Sequence, residues 1–260
     1  MNTVIVIPSR YESTRFPGKP LALVKGTAML ERVWRIAKSV KGVQEVYIAT
    51  DDKRIEEFAR KMGAKALMTP VECKNGTERV YRAMEQIIPK PDAILNFQGD
   101  ALLTPPWVLQ AMVDVLGSDK NCQMITPAVK LSKEQYAAFE ESKKTSPASG
   151  TTVVFDNRMN ALYFSKRIIP FVRDAKEGAL PVYRHIGMYG YRREALERYL
   201  TFKQGPLESS EKLEQLRALE NGMPIRVVVV DYKGRTHASV DAPEDVVIAE
   251  KIIEKEGELI

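Results

Sequence analysis

Arg10, Arg15 and Lys19 lie in one short segment beside a single acid, Glu12. Guanidinium and ammonium groups make charge-assisted hydrogen bonds to phosphate oxygens, so three of them in one loop suit a polyphosphate. The same composition also describes a solvated basic loop. Asp100 follows Gln98-Gly99 directly after an apolar run, and Asp241 precedes the last helical stretch. Two such carboxylates, distant in sequence, suit Mg2+, which binds through one or two carboxylates plus substrate phosphates. Read singly, Asp100 is equally a turn aspartate and Asp241 a helix N-cap. Asn75-Gly76-Thr77 opens a helical stretch, where backbone N–H groups and a hydroxyl either meet a ligand or cap the helix. Arg184, His185 and Tyr189 read as an anion-binding wall or as a strand with a structural histidine. Glu214 and Gln215 offer groups for sugar-like hydroxyls, or belong to a solvated helix face.

The elements that must hold these residues alternate. Val4–Ile7 is a short apolar run without a polar break, which predicts a strand buried on both faces. Pro8, Pro17, Gly18 and Pro20 keep the following basic loop from becoming a helix. Apolar spacing predicts helices over 29–39, 53–62 and 107–116, with Asp51 or Asp52 capping the second, and the stretch 73–79 opens another that runs to about 88. Strands are predicted over 46–49, 64–68 and 92–97. This alternation means βαβ units and a mostly parallel sheet, with Asp100 at the carboxyl end of a central strand. Further along come a strand at 123–131, a helix at 133–143, a polar loop to 149, and a strand pair at 151–156 and 160–165. A strand at 183–191, helices at 193–201 and 210–219, and a strand at 225–230 complete the chain before the last helix. The whole reads as one domain, 1–260, with a first lobe of about 1–120, a second of about 121–240, and helix 242–254 closing the core.

The chain has 260 residues, with 39 Lys+Arg against 34 Asp+Glu, a formal net charge of +5. The charges are mixed, and no basic run with interleaved aromatics points to nucleic acid. Cys73 and Cys122 stand in unrelated contexts and fit reduced thiols better than a disulfide framework or zinc site. No leader pattern and no apolar run of membrane-spanning length appears, so the expectation is a soluble cytoplasmic protein without a membrane partner. With only Gly18 in the first strand–helix turn, the dinucleotide fingerprint is lacking.

The run from Pro8 to Leu21 resembles the nucleotide-binding signature of the CMP-Kdo synthetases, the 3-deoxy-manno-octulosonate cytidylyltransferases. The likeness continues through Ala49-Thr50-Asp51, Asn75-Gly76-Thr77-Glu78-Arg79 and Gln98-Gly99-Asp100. It extends to 161–165, 184–191, 213–217 and 240–245, nearly the whole chain. The resemblance implies a three-layer, Rossmann-like nucleotide-diphospho-sugar transferase fold. It implies Mg2+-dependent transfer of CMP from CTP to the anomeric hydroxyl of Kdo or a Kdo-like eight-carbon sugar acid. Pyrophosphate is released, in the service of lipopolysaccharide or capsule synthesis. By that analogy Pro8, Arg10, Arg15, Lys19, Asn75, Gly76, Thr77, Arg79 and Gln98 bind the nucleotide. Arg10, Lys19 and Asp100 are catalytic, and Asp100 and Asp241 hold Mg2+. Arg184, His185, Tyr189, Glu214 and Gln215 bind the sugar acid, and Ile168–Pro181 resembles a homodimer-forming region.

The sequence departs from the family pattern at defined places. Ala101-Leu102 stands for Glu-Pro, Thr152 for a strand lysine, Asn75 for a serine, and Leu207-Glu208-Ser209-Ser210 lacks a histidine. Most of these changes fall where the acceptor is expected, so an 8-amino analogue of Kdo or another acidic sugar is an alternative acceptor. A nucleotidyltransferase for another base or sugar is a further alternative. So is a non-catalytic nucleotide-binding regulator, against which the joint retention of Arg10, Arg15, Lys19, Asp100 and Asp241 argues.

Overall fold

The first strand, β1 (Thr3–Pro8), is buried at every residue, which is why it lacks a polar alternation. Full burial of side chains such as Ile5 and Ile7 contributes ~1.5–3 kcal/mol each. The computed structural model describes residues 1–173 and 180–260. A short ribbon, β2 (Leu23–Val24) with β3 (Thr27–Ala28), leads into α1 (Met29–Lys38). The apolar stripe of α1 buries Met29, Leu30, Val33, Ile36 and Ala37. Next come β4 (Glu45–Thr50), α2 (Lys53–Lys61), β5 (Lys65–Met68), α3 (Gly76–Met84), β6 (Ala93–Asn96) and α4 (Pro106–Ser118). The Asp52 carboxylate caps α2 by accepting from Arg54 N at 2.9 Å.

These strands pair in parallel in the order β5-β4-β1-β6. Pro8 lies opposite Ala49, and Val6 opposite Asn96. The carboxyl ends of β1, β4 and β6 therefore share one edge, where the basic loop, Asp51 and the Gln98–Asp100 turn begin. The chain forms two units, Met1–Gly117 with Tyr232–Ile260, and Ser118–Asp231.

The second unit contains β7 (Met124–Lys130), α5 (Lys133–Thr145), β8 (Thr152–Phe155), β9 (Ala161–Ser165), β10 (Tyr183–His185) and β11 (Tyr189–Arg192). Then follow α6 (Arg193–Thr201), α7 (Pro206–Glu211), α8 (Leu216–Glu220) and β12 (Ile225–Val230). β12 runs parallel to β7, whereas β10 and β11 pair with β7, and β8 with β10 and β9, antiparallel. The predicted parallel arrangement thus describes the first unit, and the second is largely antiparallel. The last helix, α9 (Pro243–Glu256), belongs to the first unit.

Three local expectations are corrected. The strand predicted over 183–191 is two strands, interrupted at Ile186-Gly187-Met188. The helix predicted over 210–219 is α7 and α8, because Lys212 takes a left-handed conformation, φ +55°, and ends the first. Helix α5 runs on to Thr145, its start fixed by a Ser132/Gln135 capping box. Of the expected Ile168–Pro181 dimer segment, 174–179 lie outside the described residues. Both cysteines are free, and no helix among the described residues is long and apolar enough to cross a membrane.

Candidate active site

The basic loop is closed by a hydrogen bond from Gly18 N to Tyr11 O at 2.8 Å. Gly18 has φ +73°, and the Tyr11 ring lies 3.1 Å from where a Cβ would stand, so glycine meets both demands at once. Arg54 of α2 stacks 3.3 Å above the Tyr11 ring centroid and reaches Glu12 at 3.9 Å. The one acid of the loop therefore faces Arg54, and Arg15 and Lys19 find their partners elsewhere. Gly99 packs against the end of β1: a Cβ there would sit 3.1 Å from Pro8 O and 3.0 Å from Ser9 Oγ. That close approach fixes where Asp100 emerges.

Lys19 Nζ donates to Asp100 Oδ2 at 2.8 Å, to Val240 O at 3.0 Å and to Asp241 Oδ1 at 3.5 Å. Arg15 Nη2 donates to Asp241 Oδ1 at 3.3 Å. The N-cap reading of Asp241 is corrected. Ala242 occupies that position, and Asp245 Oδ2 accepts from Asp241 N at 2.8 Å and Ala242 N at 2.9 Å. Asp245 thus holds the two amides that precede the helix, and the Asp241 carboxylate faces the cations.

These groups border a cavity of about 370 Å3. Pro8, Arg10, Arg15, Lys19, Asn75, Gly76, Arg79, Gln98, Asp100 and Asp241 all line it. Thr77 does not: it is fully buried, and its hydroxyl accepts from Asn96 Nδ2 at 3.3 Å. Its place one residue into α3 turns its side chain toward the sheet. Asn75 does cap α3, accepting from Glu78 N at 2.9 Å, and also lines the cavity. Arg79 is held by Thr69 Oγ1 and Asp51 Oδ2, each at 2.7 Å. Gln98 Nε2 donates to Asn96 Oδ1 at 3.1 Å, which orients its amide.

Ser9, Ser13, Cys73 and Lys74 also line the cavity and were missed in the sequence. Their adjacency to Arg10 and Asn75 was the available signal. Ser9 Oγ is buried without a hydrogen-bond partner among the described residues. Burial and the nearby Glu78 and Asp51 raise the Cys73 thiol pKa, and Arg79 opposes this only in part.

In the second unit the structure joins three of the five predicted acceptor residues. Tyr189 OH donates to Gln215 Oε1 at 2.9 Å, and the His185 and Tyr189 ring centroids lie 5.7 Å apart. Thr126 Oγ1 donates its single proton to Met188 O at 2.8 Å, so in its 2.8 Å contact with His185 Nε2 the hydroxyl oxygen accepts and the ring N–H donates. Burial pushes the Tyr189 phenol well above its ordinary pKa and keeps it a donor. Gln215 Nε2 is buried without a hydrogen-bond partner among the described residues.

Arg184 stands apart from this group, 5.3 Å over Phe139 of α5, because neighbouring strand residues face opposite ways. The Glu214 backbone carbonyl accepts from Tyr199 OH at 2.9 Å. Lys143 and Lys166, absent from the sequence reading, supply further positive charge. Lys143 is pushed down to about 8 by burial and by Lys166, Arg184 and Arg167, while Glu211 opposes. Thr152, which stands for a family lysine, is structural here: its hydroxyl donates to Arg167 O at 2.7 Å and accepts from Ile169 N at 3.1 Å.

Among the described residues no group of three or more His, Cys, Asp or Glu side chains forms a ready metal cage. The pair Asp100 and Asp241, converging on one ammonium, fits the smaller protein ligand set of Mg2+.

Cations beside paired carboxylates, at the strand ends of a parallel sheet, form a site suited to a nucleotide's phosphates. The cytidylyltransferase family profile matches residues 4–225. The 3-deoxy-manno-octulosonate cytidylyltransferase of Maricaulis maris (strain MCS10) is 53% identical over 260 residues, 100% of both chains. An 8-amino-3,8-dideoxy-manno-octulosonate cytidylyltransferase of Shewanella pealeana (strain ATCC 700345 / ANG-SQ1) is 39% identical, over 96% of this chain and 98% of that one. A solved CMP:2-keto-3-deoxy-manno-octonic acid synthetase complexed with CTP superposes with TM-score 0.87 at 33% identity, covering 98% of this chain and 100% of the other. The chain belongs to the family of 3-deoxy-manno-octulosonate cytidylyltransferases and is a nucleotidyltransferase enzyme.

Proposed function

We propose that the protein transfers CMP from CTP to the anomeric hydroxyl of 3-deoxy-manno-octulosonate, releasing pyrophosphate, with Mg2+ as cofactor. The observation that carries this reading is the meeting of Lys19, Asp100 and Asp241 in a cavity that Arg10 and Arg15 also line. Arg10, Arg15 and Lys19 gather the triphosphate, and fixed cations of this kind stabilise charge developing on the leaving pyrophosphate. Pro8, Asn75, Gly76, Arg79 and Gln98 face the nucleoside. Asp100 and Asp241 would hold Mg2+, which when bound would screen the phosphate charge and polarise the phosphorus under attack. A bond forms from the anomeric oxygen to the α-phosphorus as the bond to pyrophosphate breaks, and the hydroxyl proton passes to solvent.

Tyr189, Gln215 and His185 serve the sugar acid. The orphan Nε2 of Gln215 is a donor for an acceptor oxygen, and the cations Lys143, Lys166 and Arg184 favour an anionic partner. A second reading, an 8-amino acceptor, is favoured by the 39% identical relative named for that substrate. The proposal includes a cytoplasmic homodimer, on family resemblance, and small-molecule partners only. Mass spectrometry of products from CTP, Mg2+ and a panel of sugar acids tests it. A CMP adduct of Kdo, or of its 8-amino analogue, formed with CTP in preference to other nucleotides is expected. No adduct with any acidic sugar would sink it.

A further inference from the structure

Lys19 has three N–H donors, and the structure uses all three on the prospective metal site: Asp100 Oδ2, Val240 O and Asp241 Oδ1. The function proposed above, on which this inference rests, also asks Lys19 to hold phosphate. Both tasks cannot be performed at once, because an ammonium saturated by two carboxylates and a carbonyl has no proton left for a phosphate oxygen. Its side chain is 16% exposed, against 28% for Asp100 and 40% for Asp241, so solvent does little to loosen it. Charge tells the same story. Asp100 and Asp241 carry two negative charges, and Lys19 with Arg15 supplies two positive ones. A site balanced in this way exerts little pull on a free divalent cation, since the ion's own charge enters the local balance.

We infer that Lys19 is an internal counter-ion that occupies the metal ligands until nucleotide arrives, making divalent-cation binding conditional on the triphosphate. In the free protein the ammonium keeps the two carboxylates from repelling one another and preserves their convergence. When the triphosphate enters, its negative charge offers Lys19 and Arg15 new partners, and the carboxylates become available to the accompanying cation. The two positive species exchange partners, and no step leaves the carboxylates without a counter-charge.

The test is Mn2+ binding to the nucleotide-free full chain, read by electron paramagnetic resonance of unbound Mn2+. Lys19→Met removes the ammonium at similar length, and Lys19→Arg keeps the charge. The expected result is Mn2+ binding at least tenfold tighter in Lys19→Met than in wild type or Lys19→Arg, abolished again in Lys19→Met/Asp100→Asn. Circular dichroism and thermal melting establish that each variant is folded. Equal Mn2+ affinity in wild type and Lys19→Met, with Asp100→Asn abolishing both, would overturn the counter-ion role and leave the metal site standing. Absence of binding by folded Lys19→Met would overturn it as well. Tight binding that survives Asp100→Asn would instead overturn the metal assignment, and the inference with it.

Discussion

Replacing Asp51 with asparagine tests how the cavity holds its buried guanidinium. The Arg79 side chain is 4% exposed and that of Asp51 16%, with Arg79 Nη2 2.7 Å from Asp51 Oδ2. Breaking a buried pair by removing one charge costs ~3–5 kcal/mol, because the surviving charge stays desolvated. Asparagine keeps an acceptor oxygen, Thr69 still accepts from Arg79 Nη1 at 2.7 Å, and Arg79 borders the cavity. These three features lower the expected loss to ~2–4 kcal/mol. Urea unfolding of wild type, Asp51→Asn, Arg79→Met and the double variant measures it. The double variant should recover ~1–3 kcal/mol relative to the sum of the singles. Calorimetry should also show weaker CTP binding by Asp51→Asn, since the loosened guanidinium lines the nucleotide cavity. Stability of Asp51→Asn within ~0.5 kcal/mol of wild type, the range of ordinary surface substitutions, would refute the reasoning.

Asp100→Asn and Asp241→Asn should each lower turnover at least about a hundredfold at saturating CTP and Mg2+, with melting behaviour retained; near-normal turnover in both would remove them from the chemistry. Burial raises the Cys122 thiol from 9.0 to about 11. Between those values the unfolded chain binds fewer protons than the fold. The stability this group contributes, up to ~2–3 kcal/mol, is therefore complete below pH 9 and lost as pH rises through 11. Cys122→Ala should flatten that part of the stability–pH curve, and an unchanged slope counts against the burial argument. Tyr189→Phe leaves Gln215 Oε1 without its donor, so a stability loss of ~1–3 kcal/mol is expected in urea titrations. The KM for the sugar acid should rise while that for CTP holds; an equal rise in both would contradict the separate roles given to the two substrates' residues.

Signals carried by near neighbours in the sequence survived folding well. The unbroken apolar run at Val4–Ile7 is a buried strand, Asp52 caps α2, Asn75 caps α3, and Asp100 emerges beyond β6. Each depends on steric and hydrogen-bonding rules that act within a few residues, so composition and spacing suffice to reveal them. The motifs at 8–21, 75–79 and 98–100 carried the cavity of the first unit for the same reason: each is an uninterrupted turn or helix start at one sheet edge. Side-chain direction was a different matter. Thr77 sits in the right motif yet turns into the core, and Arg184 and His185 are adjacent yet face apart. Glu214 and Gln215 were expected on one helix face, but the left-handed Lys212 ends α7, and Gln215 turns inward to Tyr189. The sequence by itself determined that Asp241 lay at a helix start. Only the tertiary structure decided that the Asp241 carboxylate would face Lys19 and Arg15. The cations that meet Asp241 come from the other end of the chain, so that pairing is set by packing rather than by local propensity.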